Sequence, residues 1–421
     1  MAVNQDRINV FLHYRYFPEP RVELPLSLKS WFNGDLPGSD FTNASKTDLV
    51  KMGSKALKNS FKQGIENDHN KFHIVPLSGG LDSRTVLANL LEHVEPSKII
   101  AVTFGLPGSP DYEGAQSIAK RAGVYWEGID LSPWNWKWDT DMLIDTAKRS
   151  ERPTWLFDSA VNHAIQLKYG KDIVYWSGFM GDSLGCIEPI SNKVKTWDEA
   201  IAAFIRKSCF YNLKITSKSF IPDEYLPPQP FTASTKLDYY SQLNHCIKQQ
   251  CLTKHIYSPL GYDIRYPFLC PGWVSFILSI PAPLGLRQDL YRKILKYSWP
   301  DLFNWWNSAY RDRSRVISLL HGGGRSFIRR HIKKTFPNSI LLLGPEKKRK
   351  YIDWNYALLY QDDFKSTVYS NLQDLRTRKI IDWLDIDKLL TLHQKGNKSD
   401  LTFELMTLAA LEIHLKANTI N

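Results

Sequence analysis

Two aspartates, each set in a glycine-containing stretch, are the residues of this chain best suited to chemistry. Asp82 lies in Ser78-Gly-Gly-Leu-Asp-Ser83, and Asp182 lies in Gly178-Phe-Met-Gly-Asp182. A glycine turn that leads into a helix presents unpaired backbone N–H groups at the positive end of the helix dipole, which suits phosphate binding. A carboxylate beside such an anion is unfavourable unless a divalent metal lies between them. The pattern therefore predicts a site for a phosphate compound and Mg²⁺, with Asp82 and Asp182 as metal ligands.

The hydrophobic pattern around these stretches predicts the elements that hold them. Apolar runs predict strands at 74–77, 98–104, 124–129 and 171–177, and helical spacing predicts helices at 46–64, 83–92, 112–122 and 158–169. About 20 residues separate the first two strands, which suits a right-handed parallel crossover. We therefore expect an α/β fold with a doubly wound parallel sheet and its ligand at the carboxyl ends of the strands. Both glycine stretches follow a strand, so Asp82 and Asp182 should meet at that edge.

The stretch 78–83 resembles the pyrophosphate-binding loop of the N-type ATP pyrophosphatases, and its flanking residues narrow the resemblance to the synthetase domain of the asparagine synthetase family. It lacks the Gly-Lys ending of ordinary P-loop NTPases. A chance glycine turn is the alternative, and the length of the run in this context makes chance a poor explanation. The resemblance implies the fold of that family, with a helical C-terminal part, and ATP and Mg²⁺ as cofactors. The nucleotide-binding residues that it implies are Leu77, Ser78, Gly79, Gly80, Asp82, Ser83, Thr103, Phe104, Ser177 and Gly178.

Two further stretches extend the resemblance. Residues 103–111 are similar to a second shared stretch of the family, which implies a place for Asp111 near the adenosine and the substrate; a helix N-cap is an equal alternative. Residues 177–183 are similar to the family's Ser-Gly-x-Gly-x-Asp-Glu loop, with Asp182 on the metal-binding aspartate. Phe179 stands where asparagine synthetases place a glutamate, and Ser183 replaces the final glutamate. Phe179 is therefore predicted to contact the substrate, and that substrate is not expected to be aspartate.

Basic residues near the C-terminus resemble a family loop whose lysine lies over the phosphates. In Glu346-Lys-Lys-Arg-Lys-Tyr351 the matching residue is Lys348, which we expect to be catalytic together with Asp82 and Asp182. Arg313 and Arg315 compete for this role, and a solvated run of charge remains an alternative. Residues 261–270 are similar to the family's Glu-x-Arg-x-Pro-Phe-Leu-Asp stretch, in which the arginine is expected to anchor a loop under the site.

The domain organisation expected from the sequence is an N-terminal arm followed by one domain that resembles the synthetase domain of the asparagine synthetase family. Residues 1–48, rich in aromatics and proline, are predicted to form an extended arm packed on the body. Residues 49–421 are predicted to form the domain, with an α/β nucleotide-binding core at 49–190 and a mostly helical part at 191–421. The segment 134–138 contains three tryptophans, which favours a packed loop over a stacking platform. Asparagine synthetases carry a glutaminase domain before the segment that 11–21 resembles, and Ala2 stands here instead of a nucleophilic cysteine. The nitrogen is therefore expected from ammonia, a separate glutaminase or an amine on the substrate.

Composition limits the function further. The net charge of +11 suits an anionic substrate, and no nucleic-acid-binding signature accompanies it. The five cysteines form no Cys-x-x-Cys pair and no signal peptide precedes them, which favours a reducing cytoplasm. No apolar run approaches the roughly 20 residues that span a bilayer, and the histidines lack zinc-ligand spacing.

Together these patterns predict an ATP-dependent amide-forming ligase. By the resemblance, it would convert a substrate carboxylate into an acyl-adenylate with release of pyrophosphate, and then transfer ammonia or an amine to the acyl group. The departure at Phe179 favours a substrate from polysaccharide or specialised-metabolite biosynthesis. The alternatives are an N-type pyrophosphatase that modifies a tRNA base, and a catalytically silent nucleotide-binding homologue.

Overall fold

The centre of the molecule is a five-stranded sheet in which every strand is parallel to its neighbours, in the order β3-β2-β1-β4-β5. The strands are β1 His73–Pro76, β2 Ile99–Gly105, β3 Tyr125–Asp130, β4 Val174–Trp176 and β5 Asp263–Arg265. The computed structural model describes residues 4–19, 41, 43–65, 68, 70–132, 135–185, 194–209, 211–231, 238–257, 261–280, 288–304, 352–394 and 400–420. The predicted α/β class with a parallel sheet is confirmed, and the strand order is compatible with a Rossmann-like fold.

The direction in which strands are added reverses at β1. β2 pairs with one edge of β1, where His73 is opposite Ile99, and β4 pairs with the other edge, where His73 is opposite Val174. The connections that follow β1 and β4 therefore leave the sheet side by side. Such a switch point opens a crevice at the carboxyl ends of the strands, where ligands of open α/β sheets bind.

The four strands predicted from the sequence are all present, whereas β5 was not predicted. β5 contains only Asp263, Ile264 and Arg265, and Asp263 and Arg265 form an ion pair with each other. Three residues with charged ends give no hydrophobic period, so such an edge strand is visible only once it pairs with β4.

Helices cover the sheet and form most of the described C-terminal part. They are α1 Gln5–Tyr14, α2 Lys46–Ile65, α3 Leu81–Leu90, α4 Pro110–Ala122, α5 Thr140–Arg149, α6 Leu156–Tyr169, α7 Gly181–Gly185, α8 Trp197–Ser208, α9 Tyr239–Leu243, α10 Lys254–Tyr257, α11 Pro271–Ser279, α12 Asp289–Ser298, α13 Pro300–Phe303, α14 Trp354–Tyr360, α15 Asp362–Arg378, α16 Ile386–Gln394 and α17 Thr402–Lys416. A π-helix, Asn244–Thr253, joins α9 to α10, and short 3₁₀ helices lie at Pro96–Lys98, Pro222–Tyr225 and Pro267–Leu269. Within the described ranges, no helix combines the length and apolar character needed to cross a membrane.

The N-terminal segment differs from the extended arm that its composition predicted. Residues 5–14 form α1, which begins after Asn4 because the Asn4 side chain accepts hydrogen bonds from the first-turn N–H groups, and which ends where Arg15 adopts a φ of 66°. Phe11 is fully buried and meets the ring of His414 edge-on at 5.3 Å. The prediction of extended backbone is wrong for this part, because the prolines that suggested it follow the helix.

The tryptophan-dense segment packs into an aromatic cluster. Trp138 is 2% exposed and its ring contacts those of Phe157, Trp354 and Phe364 at centroid distances of 5.5 to 6.1 Å. This burial supports the packed-loop interpretation for Trp138, while Trp134 lies outside the described residues.

Candidate functional site at the switch point

The glycine loop between β1 and α3 is fixed by its own serines. Ser83 Oγ accepts a hydrogen bond from the Ser78 N–H at 3.0 Å and lies 3.0 Å from Ser78 Oγ, which in turn accepts from the Gly80 N–H at 3.1 Å. Helix α3 begins at Leu81, after Gly80, which has no side chain to cap it. The N-cap residue therefore offers no side chain to the N–H groups in the first turn of α3. An anion site requires such N–H groups to be available to the ligand.

The second glycine loop packs directly on Asp82. This loop follows β4, and a Cβ atom placed on Gly181 would lie 2.5 Å from both Cβ and Cγ of Asp82. A Cβ atom on Gly178 would lie 3.5 Å from Asp82 Cβ, which is ordinary contact. Gly181 therefore has to be glycine for the two loops to approach this closely. The sequence predicted that the loops would meet, and the structure brings them into contact.

Tyr291 of α12 holds the Asp82 carboxylate from the other side. Its hydroxyl donates a hydrogen bond to Asp82 Oδ1 at 3.1 Å and lies 3.2 Å from Thr85 Oγ1. The Tyr291 ring is buried beside Gly185, where a Cβ atom would lie 2.7 Å from the ring. Burial and the nearby Asp82 carboxylate raise the pKa of Tyr291, so the hydroxyl stays protonated and can donate.

Asp182 supplies a second negative charge beside Asp82. Burial, and then the Asp182 carboxylate, raise the pKa of Asp82 from 3.8 to about 7, against the opposing effect of the Tyr291 hydrogen bond. Asp182 itself is exposed at the start of α7, where its Oδ1 accepts from the Ser183 N–H at 2.7 Å. A bound cation would stabilise the ionised form of Asp82, which burial and the neighbouring carboxylate oppose.

The donor set fits Mg²⁺ shared with phosphate oxygens. Within the described ranges, no group of three or more His, Cys, Asp or Glu residues is placed to hold a metal ion. Asp82 and Asp182 are two carboxylates near each other where the glycine loops meet, and Mg²⁺ characteristically binds one or two carboxylates with the remaining positions taken by phosphate and water.

Asp111 touches the glycine loop, although not in the role of a helix cap. Helix α4 begins at Pro110 and its N-cap is Ser109, so the cap alternative is wrong for Asp111. Partial desolvation raises the pKa of the Asp111 carboxyl group, and a hydrogen bond from the backbone N–H of Gly79 lowers it. Asp111 thus links the loop after β2 to the loop after β1.

Three of the residues assigned to nucleotide binding form the buried support of the site. Thr103 Oγ1 donates to the Leu77 carbonyl oxygen at 2.8 Å and accepts from the indole N–H of Trp126 at 3.0 Å. Leu77 and Thr103 are 2% and 3% exposed, and Phe104 is half-buried. In this arrangement a ligand can reach Leu77 and Thr103 mainly through their backbone.

Phe179 lies beneath the surface of the second glycine loop. It is 5% exposed, and its ring meets that of Tyr266 edge-on at 5.6 Å. The backbone N–H of Phe179 donates to Ser177 Oγ at 3.1 Å, which fixes the turn. Lys254 lies 5.9 Å from the centroid of the Tyr266 ring. Phe179 is thus part of an aromatic pair with a cation beyond it.

Lys248 is a cationic neighbour of the site that the sequence did not reveal. It lies in the π-helix, partly buried, where burial and the charges of Arg15 and Lys207 lower its pKa against a smaller opposing effect of the Asp182 carboxylate. No motif marks this position, because its proximity to Asp182 arises from packing of the π-helix. Lys348, Arg313 and Arg315, the cations predicted for the phosphates, lie outside the described residues.

The side chain of Arg265 anchors β5, and its backbone contacts the start of the second loop. It pairs with Asp263 and Asp68, and its guanidinium group lies 5.6 Å from the centroid of the Trp176 ring. Its carbonyl oxygen accepts from the Ser177 N–H at 2.9 Å. β5 therefore fixes the point at which the second loop leaves the sheet.

Comparison with models of known protein families and with curated proteins finds no match for this chain. The site is defined by its own geometry: a helix N-terminus after a glycine turn, a buried carboxylate and an exposed carboxylate beside it. Such a combination can hold a polyphosphate through backbone N–H groups and a divalent cation through Asp82 and Asp182.

Proposed function

We propose that this protein is an ATP-dependent, AMP-forming amide ligase with a fold of the N-type ATP pyrophosphatase kind. The observation that carries the proposal is the contact between the two glycine loops, in which Gly181 packs on Asp82, and burial and the Asp182 carboxylate together raise the pKa of the Asp82 carboxyl group. A site that places two carboxylates beside a helix N-terminus suits cleavage of ATP between its α- and β-phosphates better than it suits binding of an uncharged ligand.

Adenylation overcomes the poor reactivity of a carboxylate, whose own leaving group would be oxide. A carboxylate oxygen of the substrate attacks the α-phosphorus of ATP, and the bond to the bridging oxygen breaks with its electron pair leaving on pyrophosphate. The nitrogen of ammonia or an amine then attacks the acyl carbon, loses a proton, and AMP leaves with the electron pair of the C–O bond. Pyrophosphate and AMP are good leaving groups, so each step becomes feasible.

The residues of the chain would act mainly by stabilising the negative charge that develops on the phosphates and by orienting the reacting groups. The N–H groups at the start of α3 would stabilise the charge that develops on pyrophosphate, since preorganised donors need no rearrangement. Asp82 and Asp182 would hold Mg²⁺, which when bound supplies Lewis-acid stabilisation of the phosphate oxygens. Tyr291 keeps one Asp82 oxygen oriented. Lys348 stays the predicted cation over the phosphates, for both halves of the reaction.

The surroundings of Phe179 favour a carboxylate substrate without an ammonium group at this position. The Phe179 ring packs edge-on against Tyr266 and supplies no carboxylate to pair with an ammonium group, and desolvating an unpaired ammonium group would cost roughly 2 kcal/mol or more. A uronic acid or a specialised metabolite meets this condition, whereas aspartate does not.

Two of the described thiols, Cys246 and Cys251, are unsuited to the chemistry of a tRNA-thiolating enzyme. Burial raises the pKa of Cys251 to about 12 and raises that of Cys246 further, so neither thiol is poised as a nucleophile near neutral pH. A silent homologue would not need to keep both carboxylates and the close approach of Gly181.

Exchange of labelled pyrophosphate into ATP, measured with a panel of carboxylates, tests the proposal. We expect Mg²⁺-dependent exchange with a subset of the panel, and formation of the hydroxamate when hydroxylamine is the acceptor. The Asp182→Asn variant, in which an exposed side chain is changed, serves as the inactive control. Tight ATP binding without exchange for any carboxylate would instead identify a nucleotide-binding protein that lacks the ligase reaction.

A further inference from the structure

The geometry points to Arg84 as the residue that positions the glycine loop for its anion, an inference that rests on the proposed function only for the identity of that anion. Arg84 is the fourth residue of α3 and is 1% exposed. Its Nη2 donates to the Gly79 carbonyl oxygen at 2.9 Å, and its Nη1 donates to the Leu302 carbonyl oxygen at 3.3 Å. One guanidinium group thus bridges the loop and helix α13.

The bond to Gly79 fixes the orientation of the peptide group that joins Gly79 to Gly80. In a trans peptide the C=O and N–H groups point in opposite directions, so holding the Gly79 oxygen towards Arg84 turns the Gly80 N–H away from it. That N–H donates to Ser78 Oγ, which therefore has its hydroxyl oriented too. Glycine at 79 would otherwise give this peptide a wide choice of conformations.

The guanidinium group is itself held in one orientation. It lies 5.2 Å from the centroid of the Phe303 ring, and its planar shape lets two nitrogens reach two carbonyl oxygens on different segments. A lysine ammonium keeps the charge, but it is a single point that cannot span both carbonyl groups while stacking on a ring. Burial lowers the pKa of Arg84 to about 10, which still leaves it charged at neutral pH. A positive charge under the loop also favours an anion above it.

Arg84 is therefore a positioning residue. The Arg84→Lys variant tests this role, because it keeps the positive charge but cannot bond to both carbonyl groups. The matched control is Arg121→Lys, because Arg121 lies on α4, outside the loop, and its Nε donates to the Asp301 carbonyl oxygen of the same helix α13 at 2.8 Å. Two measurements apply to each variant: amide hydrogen exchange of the peptide covering 78–83, and affinity for ATP with Mg²⁺ and for pyrophosphate by calorimetry. Arg84→Met, which removes the charge as well, is the second variant.

Arg84→Lys should speed exchange of the loop amides and weaken binding of both ligands about tenfold, because the loss of hydrogen bonds from a charged donor is of that order. Arg121→Lys should change neither value, and the exchange rates of β1 should stay as in the wild type in both variants. The inference would be overturned if the loop amides of Arg84→Lys exchanged at the wild-type rate. It would also be overturned if they exchanged faster while the variant bound both ligands with wild-type affinity.

If the wild type binds neither ATP nor pyrophosphate, the proposed function fails while the exchange data still decide the role of Arg84. If Arg84→Met does not fold, the lysine variant alone decides.

Discussion

Tyr291 and Asp82, separated by 209 positions in the chain, are joined by a hydrogen bond of 3.1 Å from the phenol hydroxyl to Oδ1 of the carboxylate. The bond occupies one oxygen of Asp82 from the side of α12 and leaves the carboxylate with a fixed orientation towards the second glycine loop. Because Asp82 is predicted to be a metal ligand, the strength of this bond should set how well the site captures a cation.

Tyr291→Phe should raise the Mg²⁺ concentration needed for half-maximal pyrophosphate release, since the ring still packs beside Gly185 but no longer orients Asp82. It should also lower the free energy of unfolding by about 1 kcal/mol, the usual value of a lost hydrogen bond. Tyr175→Phe is the matched control: the Tyr175 hydroxyl donates to the Gly170 carbonyl oxygen at 2.9 Å, away from the site. Equal Mg²⁺ dependence in the two variants would show that Tyr291 acts only on stability.

Gly181→Ala should separate the two loops. The new methyl group would lie 2.5 Å from Asp82 Cβ, so the backbone of one loop has to move, at a cost of about 1 to 3 kcal/mol in stability. Gly272→Ala is the control, because no atom lies within 4 Å of a Cβ placed there and α11 gains a better helix former. Thermal unfolding and ATP titration of both variants check this prediction. Wild-type ATP affinity in Gly181→Ala would contradict the close approach of the loops.

Asp82→Asn should abolish pyrophosphate release and yet stabilise the protein free of ligand at neutral pH. The pKa of Asp82 is raised from 3.8 to about 7, so the folded protein binds this proton more tightly than the unfolded chain does. Stability therefore falls as pH rises from about 4 to 7, by up to roughly 1.4 kcal/mol for each unit of pKa difference. Unfolding temperatures of wild type and variant should be similar at pH 4 and diverge by pH 8. A constant difference across this range would contradict the raised pKa.

Phe179→Glu should admit aspartate as a substrate, because a carboxylate beside the second glycine loop can pair with the ammonium group that the phenyl ring rejects. Phe179→Leu keeps the position apolar and should leave aspartate excluded. Hydroxamate formation with a panel of carboxylates, measured with each purified variant, provides the comparison. Efficient use of aspartate by the wild type would refute the role assigned to Phe179. Since the position is buried, the folded fraction of the glutamate variant has to be measured alongside.

What the sequence could predict here was local. Apolar runs marked β1 to β4, and their glycine-rich continuations marked the two loops, because strand and turn chemistry depend on neighbouring residues. The contacts of Arg84 and Tyr291 join residues more than 200 positions apart, and no periodicity encodes them. The helix at 5–14 was missed since its aromatic residues are buried on several sides and show no single apolar face. Asp111 was considered as a possible N-cap, whereas the N-cap is Ser109, two residues earlier. An error of this size is usual for a helix boundary.

The hydrogen bonds from α12 and α13 to the start of α3 and the first glycine loop mean that the proposed nucleotide site depends on distant parts of the chain. A fragment ending before Asp289 would contain the whole loop motif and both aspartates, but it would lack the phenol that holds Asp82 and the Leu302 carbonyl that holds Arg84. Grafting residues 73–90 onto another parallel sheet would meet the same obstacle. Transferring this site would require α12 and α13 as well. A minimal fragment therefore has to include the distant segments whose hydrogen bonds hold the site, and a continuous stretch around the loop is not enough.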